Sequence, residues 1–150
     1  NHKNIQIVVA GNGDDLDEFR FLVLEQKIKN ISFIGKVEGK NLAALYTCAD
    51  LFLLPGRGGI SLSESLFYGT PVILFQGDGI EFDLINEDSQ GLIVKKDNIK
   101  YFIDAIEYFL NKNSEPKRFF ITKYTFKSLL KFNTKQTYLK FKEAILKAVI

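Results

Sequence analysis

The feature that most constrains the fold of this chain is a recurring pair, in which a short apolar run ending at glycine or proline is followed by a stretch with helical spacing. The first run, Ile5–Ala10, is rich in β-branched residues and stops at Gly11. Such runs are typical of buried strands in parallel sheets. The pattern predicts strands at Ile5–Ala10, Ile31–Ile34, Leu51–Leu54 and Pro71–Phe75, with a weaker one at Leu92–Val94.

Helices are predicted between and after these strands. Asp15 and Glu18 form a capping-box-like start to the first helix, and Gly69 ends the third. The predicted helices are one that begins near Asp15, then Asn41–Cys48, Ser61–Tyr68, Asn98–Leu110, Lys117–Lys131 and Thr134–Val149. This alternation implies right-handed crossovers and a parallel sheet covered on both faces. We predict a doubly wound α/β domain over residues 1–112, with the helices of 113–150 packed on it as one domain.

Composition argues against several classes of protein. The 20 basic residues nearly balance 18 acidic ones, and no basic stripe precedes the C-terminus, so a nucleic-acid partner is not expected. The single cysteine, Cys48, cannot form an internal disulfide, and the chain lacks the His/Cys clusters of zinc sites. No apolar run approaches the roughly 20 residues that span a bilayer, and no signal sequence is evident. The expected location is the cytoplasm.

Two loops follow predicted strands at the sheet edge where ligands of α/β proteins bind, Gly11–Asp15 and Pro55–Ser61. In the second loop, Gly56, Gly58 and Gly59 would let the backbone approach an anion and donate N–H groups to it. The alternative is a tight connection that needs positive φ angles. Arg57 could neutralise a diphosphate or point into solvent.

Glu64 has two interpretations that spacing does not separate. It lies three residues after Ser61, so Ser61-Leu62-Ser63-Glu64 is a possible capping box. A carboxylate beside a phosphate-binding loop could equally accept hydrogen bonds from a ribose diol.

Several short motifs follow one another along the chain. The most extensive is a strand that ends in proline, a glycine-rich loop, and a helix that carries Glu64 and ends at Gly69. With Val8–Gly13, Ile34–Val37, Ala49–Pro55, Gly58–Ile73 and Gly91–Val94 in this order, the series resembles the signature of the retaining GT-B glycosyltransferases of the group 1 family. Each is weak alone, but together they are specific and cover roughly residues 4 to 112.

The resemblance implies roles for particular residues. Glu64 would bind the ribose of a UDP- or GDP-linked sugar, and backbone N–H groups of the loop would bind its diphosphate and sugar. The implied donor-binding residues are Gly11, Gly13, Arg57, Gly58, Gly59, Ile60, Ser61 and Glu64, with Lys36 and Val37 near the nucleobase. Transfer would retain the anomeric configuration without a metal or other cofactor. The acceptor would be a glycan, lipid or other hydroxyl, as in bacterial polysaccharide biosynthesis.

The sequence departs from the family pattern in two respects. Gly56 stands where the family has a second glutamate that touches the donor sugar, which implies either different sugar recognition or altered activity. In the family, an Arg and a Lys that clamp the diphosphate belong to a strand-helix unit that would precede Ile5. The N-terminal acceptor-binding domain would also precede Ile5. The chain is therefore expected to be the donor-binding half of an enzyme, incomplete as a catalytic unit.

Other functions remain as alternatives. A nicotinamide-dependent oxidoreductase fits badly, because Leu16 stands where a third glycine is wanted and the second strand ends at Gly35-Lys36 without an acidic residue. An interaction module with an acidic pocket of Asp14, Asp15 and Asp50, and a nucleotide-sugar 2-epimerase, stay open. The Lys- and Phe-rich C-terminal helices could contact a membrane surface, although packing on a core is more usual.

Overall fold

A computed structural model describes residues 5–56, 59–77, 79–85, 90–95, 98–112 and 134–149. They divide into two compact units, residues 1–44 and 45–150. The predicted helix over Lys117–Lys131 lies outside the described residues. The packing of residues 113–150 on residues 1–112 as one domain stays a prediction.

The first unit is built around two parallel strands. Strands β1 (Ile7–Ala10) and β2 (Ile31–Gly35) pair from Ile7 opposite Ile31, with an irregularity after Val9. Helix α1 (Leu16–Glu25) connects them. Helix α2 (Gly39–Cys48) then runs from this unit into the second.

The second unit contains a three-stranded parallel sheet. Strand β3 (Phe52–Leu54) and strand β5 (Gly91–Val94) flank the central strand β4 (Val72–Phe75). Helix α3 (Ile60–Phe67) connects β3 to β4, and the short helix α4 (Ile80–Leu84) lies between β4 and β5. Helix α5 (Ile99–Lys112) follows β5, and helix α6 covers Thr134–Val149. All strand pairs in both units are parallel, as predicted.

The core of the second unit lies on both faces of β4. Val72, Ile73 and Leu74 are fully buried, and their side chains alternate between two apolar clusters. One cluster contains Leu62 and Leu66 of α3, and the other contains Phe102 of α5. Burying each such side chain stabilises the fold by about 1.5–3 kcal/mol. A sheet buried on both faces is the doubly wound arrangement that the apolar runs predicted.

Gly91 shows how closely β5 approaches β4. Its φ is +149°, and a Cβ at this position would lie 1.9 Å from the carbonyl oxygen of Val72. No side chain fits there, so glycine is required by both the backbone conformation and the packing.

The predicted elements that fall in the described residues are confirmed with small changes of boundary, one local prediction is wrong, and one helix was not predicted. Asp15 occupies the N-cap position of α1 but makes no side-chain capping bond, so the capping box with Glu18 is not formed. Helix α4 was not predicted, because its 5 residues are too few to show helical periodicity. Within the described ranges, no helix combines the length and apolarity needed to cross a membrane.

Candidate functional site

The loop between β3 and α3 lies at the carboxyl edge of the second sheet. Strands β3 and β4 are parallel neighbours, so their following loops leave the sheet at the same edge. Gly56 begins the turn, and its N–H donates to the Leu54 carbonyl at 2.7 Å. Arg57 and Gly58 lie outside the described residues, and their roles stay predictions.

Gly59 immediately precedes α3 and is not required by the fold. Its φ of 173° is extended backbone that any residue adopts, so the positive-φ alternative is wrong at this position. A Cβ added to Gly59 would meet nothing within 4 Å, and the same holds for Gly56. The described residues therefore leave open space above this backbone, as an approaching ligand would need.

The first turn of α3 offers N–H groups to that space. The N–H groups of Leu62 and Ser63 donate to the Gly59 carbonyl at 3.2 and 3.4 Å. Within the described part of the chain, the N–H groups of Ile60 and Ser61 meet no backbone acceptor. Unpaired N–H groups at a helix start carry partial positive charge and attract anions. This turn can therefore bind a phosphate group.

Glu64 lies one turn further along α3. Because the helix begins at Ile60 with Gly59 at the N-cap position, Ser61 is already inside the first turn and is not a cap. The capping-box interpretation of Ser61 and Glu64 is therefore wrong. The Glu64 side chain is half-buried, and no described residue donates a hydrogen bond to its carboxylate. Its oxygens are available to accept hydrogen bonds from a ligand.

Tyr46 of α2 packs against residues on either side of α3, a relationship that the sequence did not reveal. Its side chain is buried, and its ring meets the Phe52 ring edge-on at 5.4 Å and stacks on the Tyr68 ring at 6.0 Å. Burial and the negative charge of Glu64 raise the pKa of the Tyr46 hydroxyl, although Ser61 acts in the opposite direction. Tyr46 is therefore a neutral phenol near neutral pH.

A second residue that the sequence analysis missed is Glu81, in the segment after β4. Its side chain has no solvent exposure, and its carboxylate accepts hydrogen bonds from the N–H groups of Gly77 at 2.6 Å and Gly79 at 3.1 Å. Burial alone would raise the pKa of Glu81, but backbone N–H donors outweigh it and lower the pKa. The Gly-x-Gly-x-Glu spacing after a predicted strand was the available sequence signal.

The remaining predicted site residues belong to the first unit. Gly11 follows β1 with φ of +149°, and its N–H donates to the Gly35 carbonyl at 2.8 Å. The Gly13 carbonyl accepts a hydrogen bond from Leu16 at 3.1 Å. Lys36, which precedes the partly buried Val37, forms an exposed ion pair with Glu38 at 2.6 Å. Their roles at the nucleotide and nucleobase stay predictions.

No group of three or more His, Cys, Asp and Glu side chains in the described residues has an arrangement that could hold a metal ion.

Comparison with known proteins identifies the family. The model of the glycosyl transferases group 1 family matches residues 1–125. An uncharacterized glycosyltransferase from Methanocaldococcus jannaschii is 29% identical over 110 residues, which cover 69% of this chain and 28% of that protein. A GDP-mannose-dependent alpha-mannosyltransferase from Corynebacterium glutamicum is 30% identical over 105 residues, covering 68% of this chain and 24% of that protein.

A solved structure shows the same fold. The pneumococcal O-GlcNAc transferase GtfA, in complex with UDP and GlcNAc, matches with a TM-score of 0.70 at 17% identity, over 97% of this chain and 30% of that one. This chain spans less than a third of the length of each of these three proteins. The likeness confirms the predicted Rossmann-like α/β fold. With the family model matched over most of its length, the chain belongs to the glycosyl transferases group 1 family.

Proposed function

We propose that this chain is the donor-binding half of a glycosyltransferase and binds a nucleotide-sugar at the start of α3. The observation that carries the proposal is the open space at Gly59, followed by the N–H groups of Ile60 and Ser61, which meet no described backbone acceptor, and by the carboxylate of Glu64. N–H donors for a phosphate and a carboxylate acceptor for the ribose hydroxyls thus follow one another along a single helix.

The proposed chemistry depends on the charge of the diphosphate and on the polar groups of the chain that face it. Negative charge develops on the diphosphate as its bond to the sugar breaks, and the N–H groups at the start of α3 stabilise that charge in a fixed geometry. Arg57 adds a cation to the same loop. The Glu64 carboxylate accepts hydrogen bonds from the ribose hydroxyls. In this mechanism the donor is UDP- or GDP-linked, and neither a metal nor another cofactor takes part.

The complete protein, in this proposal, places an N-terminal acceptor-binding domain across the cleft from the donor. It transfers the sugar with retention to a glycan, lipid or other hydroxyl, in the cytoplasm and with peripheral membrane contact, in bacterial polysaccharide synthesis. The mannosyltransferase relative uses GDP-mannose, and the structural neighbour holds UDP, which supports both bases as candidates.

Gly56 is a departure from the family pattern at the position that contacts the donor sugar. Where the family has a glutamate that touches the donor sugar, the chain has a glycine, and a Cβ added there would meet no atom of the described residues within 4 Å. In the proposal, sugar recognition therefore depends on other groups, such as backbone N–H donors.

A calorimetric titration of the chain with UDP, GDP, ADP and NAD tests the proposal. We expect binding of UDP or GDP and weaker binding of NAD. Binding of NAD alone would support a nicotinamide-dependent oxidoreductase instead. Absence of any response at millimolar UDP and GDP would contradict the proposed function.

A further inference from the structure

Helix α6 leaves its large apolar side chains open to solvent. These side chains are between 46% and 69% exposed, and they are Tyr138, Leu139, Phe141, Ile145 and Leu146. Helix α5 of the same unit differs, because Phe102 is only 4% exposed and packs in an apolar cluster with Ile73 and Val94. Packing on a core, the more usual arrangement of an amphipathic helix, is therefore seen in α5 and not in α6.

The same helix carries a surplus of positive charge. It contains four lysines against one acidic residue, and these are Lys135, Lys140, Lys142, Lys147 and Glu143. Glu143 forms an ion pair with Lys147, with 2.8 Å between Oε1 and Nζ. In the part of the chain that the structure describes, no carboxylate forms an ion pair with Lys135, Lys140 or Lys142, and all three are exposed.

Lysine and apolar side chains share one side of α6. Tyr138, Lys142 and Ile145 follow one another at intervals of four and three residues, which places them on the same side of the helix. A lysine has a long apolar stem and a charged tip, so its ammonium group can extend past neighbouring apolar side chains. This side of α6 therefore offers apolar contact area together with positive charge.

Exposed apolar residues alone do not define what covers α6, because α1 of the first unit has them as well. Phe21 is 65% exposed and Leu24 is 76% exposed. Helix α1, however, contains three acidic residues and one basic residue, Asp17, Glu18, Glu25 and Arg20. A negatively charged surface would repel α1 and attract α6. The charge of α6 thus favours an anionic partner that also accepts apolar side chains.

We propose that α6 lies on a membrane surface and binds anionic phospholipid, with its apolar side chains at the boundary of headgroups and acyl chains and its lysines at the phosphates. Helices that are apolar on one side and rich in lysine bind membrane interfaces in this way. The 16 residues of α6 span about 24 Å, less than a hydrocarbon core of roughly 30 Å, so the helix lies along the surface. The inference deepens the peripheral membrane contact of the proposed function and rests on it, but it does not depend on the nucleotide site at α3.

Sedimentation of the chain with phospholipid vesicles tests the inference. Vesicles of phosphatidylcholine alone are compared with vesicles of phosphatidylcholine and phosphatidylglycerol, in about 0.1 M and about 1 M NaCl, over which the Debye length falls from about 10 Å to about 3 Å. We expect binding to the phosphatidylglycerol vesicles at the lower salt concentration, and much weaker binding at the higher one or to phosphatidylcholine alone.

Substitutions in α6 should weaken this binding. Lys142→Gln should lower the affinity about fivefold, and Phe141→Ala about tenfold or more. The matched controls are Lys100→Gln, an exposed lysine of α5, and Phe21→Ala, a phenylalanine of similar exposure on the acidic helix α1. Both controls should bind as the unmodified chain does.

A tryptophan identifies the helix that meets the lipid, since the chain contains no tryptophan of its own. The emission of Phe141→Trp should shift to the blue when phosphatidylglycerol vesicles are added, and that of Phe21→Trp should not. This measurement keeps an aromatic side chain at each position, so it does not depend on the folding of the alanine variant.

The results that would overturn the inference are specific. Equal binding to both kinds of vesicle, or unchanged binding by both Phe141→Ala and Lys142→Gln, would contradict it. Emission of Phe141→Trp that is already blue-shifted without vesicles and does not change with them would show that a protein surface covers this side of α6 instead. If the chain binds UDP or GDP but no vesicles, the membrane inference is wrong and the nucleotide site stands. Binding to vesicles without binding of UDP or GDP would have the opposite meaning.

Discussion

The carboxylate of Glu81 accepts a hydrogen bond from the backbone N–H of Gly77 at 2.6 Å, and this contact fixes the turn that follows the central strand. Gly79 donates to the other carboxylate oxygen at 3.1 Å, from a backbone with φ of +108°. The fully buried carboxylate thus takes the place that an anion would occupy at these N–H groups. These two N–H groups serve the fold of the second unit rather than a ligand.

Glu81→Gln is therefore expected to destabilise the chain. It replaces a charged acceptor of backbone N–H groups by a neutral amide, whose NH₂ cannot accept, at a cost of about 1.5–3 kcal/mol in the free energy of unfolding. Urea unfolding at pH 7 measures it. Asp83→Asn is the matched control, since Asp83 is exposed on the same short helix. Equal stability of the two variants would contradict the role of Glu81.

The pH dependence of this effect has a definite sign. The pKa of Glu81 is lower in the folded chain than in the unfolded one, so its stabilising contribution is present above the unfolded pKa. It is lost as the pH falls through the folded pKa. The stability difference between the unmodified chain and Glu81→Gln should be constant near neutral pH and narrow below roughly pH 4.3. A difference that widens on acidification would show that the sign is wrong.

Glu64→Gln should weaken nucleotide binding more than it weakens folding. The substitution retains the size of the side chain but replaces a charge-assisted hydrogen bond to ribose, so the affinity should fall by about 1–3 kcal/mol. Calorimetry with UDP or GDP measures the affinity, and thermal unfolding measures the stability. Unchanged affinity would exclude Glu64 from the donor site.

Gly59→Val should separate binding from folding. The extended backbone and the open space at Gly59 accept a side chain, so the free energy of unfolding should change by less than about 1 kcal/mol. The same side chain would obstruct an approaching diphosphate, and nucleotide affinity should fall at least tenfold, about 1.4 kcal/mol. Arg57→Ala provides the comparison, because it should weaken diphosphates more than nucleosides without reshaping the loop. Normal nucleotide binding by folded Gly59→Val would place the diphosphate elsewhere.

Gly91→Ala is expected to reduce the stability of the chain, unlike Gly59→Val. A methyl group at this position would overlap the Val72 carbonyl and would also require a positive φ, so the chain should lose about 3 kcal/mol or more of stability. Circular dichroism during urea unfolding measures the loss. A folded Gly91→Ala of normal stability would contradict the observed approach of β5 to β4.

The sequence predicted the fold because the strands of the second sheet are partly or fully buried, and burial leaves a continuous apolar run such as Val72–Phe75. Helix boundaries were less predictable. The start of α3 at Ile60 rather than Ser61 is a shift of one residue, but it removes the capping box that Ser61 and Glu64 suggested. Local spacing does not determine which N–H groups are left unpaired.

The contacts made by Tyr46 and Glu81 were missed for a different reason. Tyr46 of α2 packs on the rings of Phe52 and Tyr68 from other parts of the second unit, and this relationship depends on tertiary packing that periodicity does not encode. Glu81 acts on the backbone of Gly77 and Gly79 rather than on a side chain, so only the glycine spacing gave a signal. The structure was therefore needed to find the contacts of Tyr46 and Glu81, whereas the sequence alone identified Glu64 and the loop glycines as candidate site residues.

The most direct test of the central claim is a titration of the ¹⁵N-labelled chain with UDP and GDP, followed by amide chemical shifts. The account predicts that the amides of Gly59, Ile60 and Ser61 shift strongly and saturably with the preferred nucleotide, because they face its diphosphate. Gly77 and Gly79, which already donate to Glu81, should shift much less. Saturable shifts elsewhere that leave the amides at the start of α3 unchanged would contradict the account.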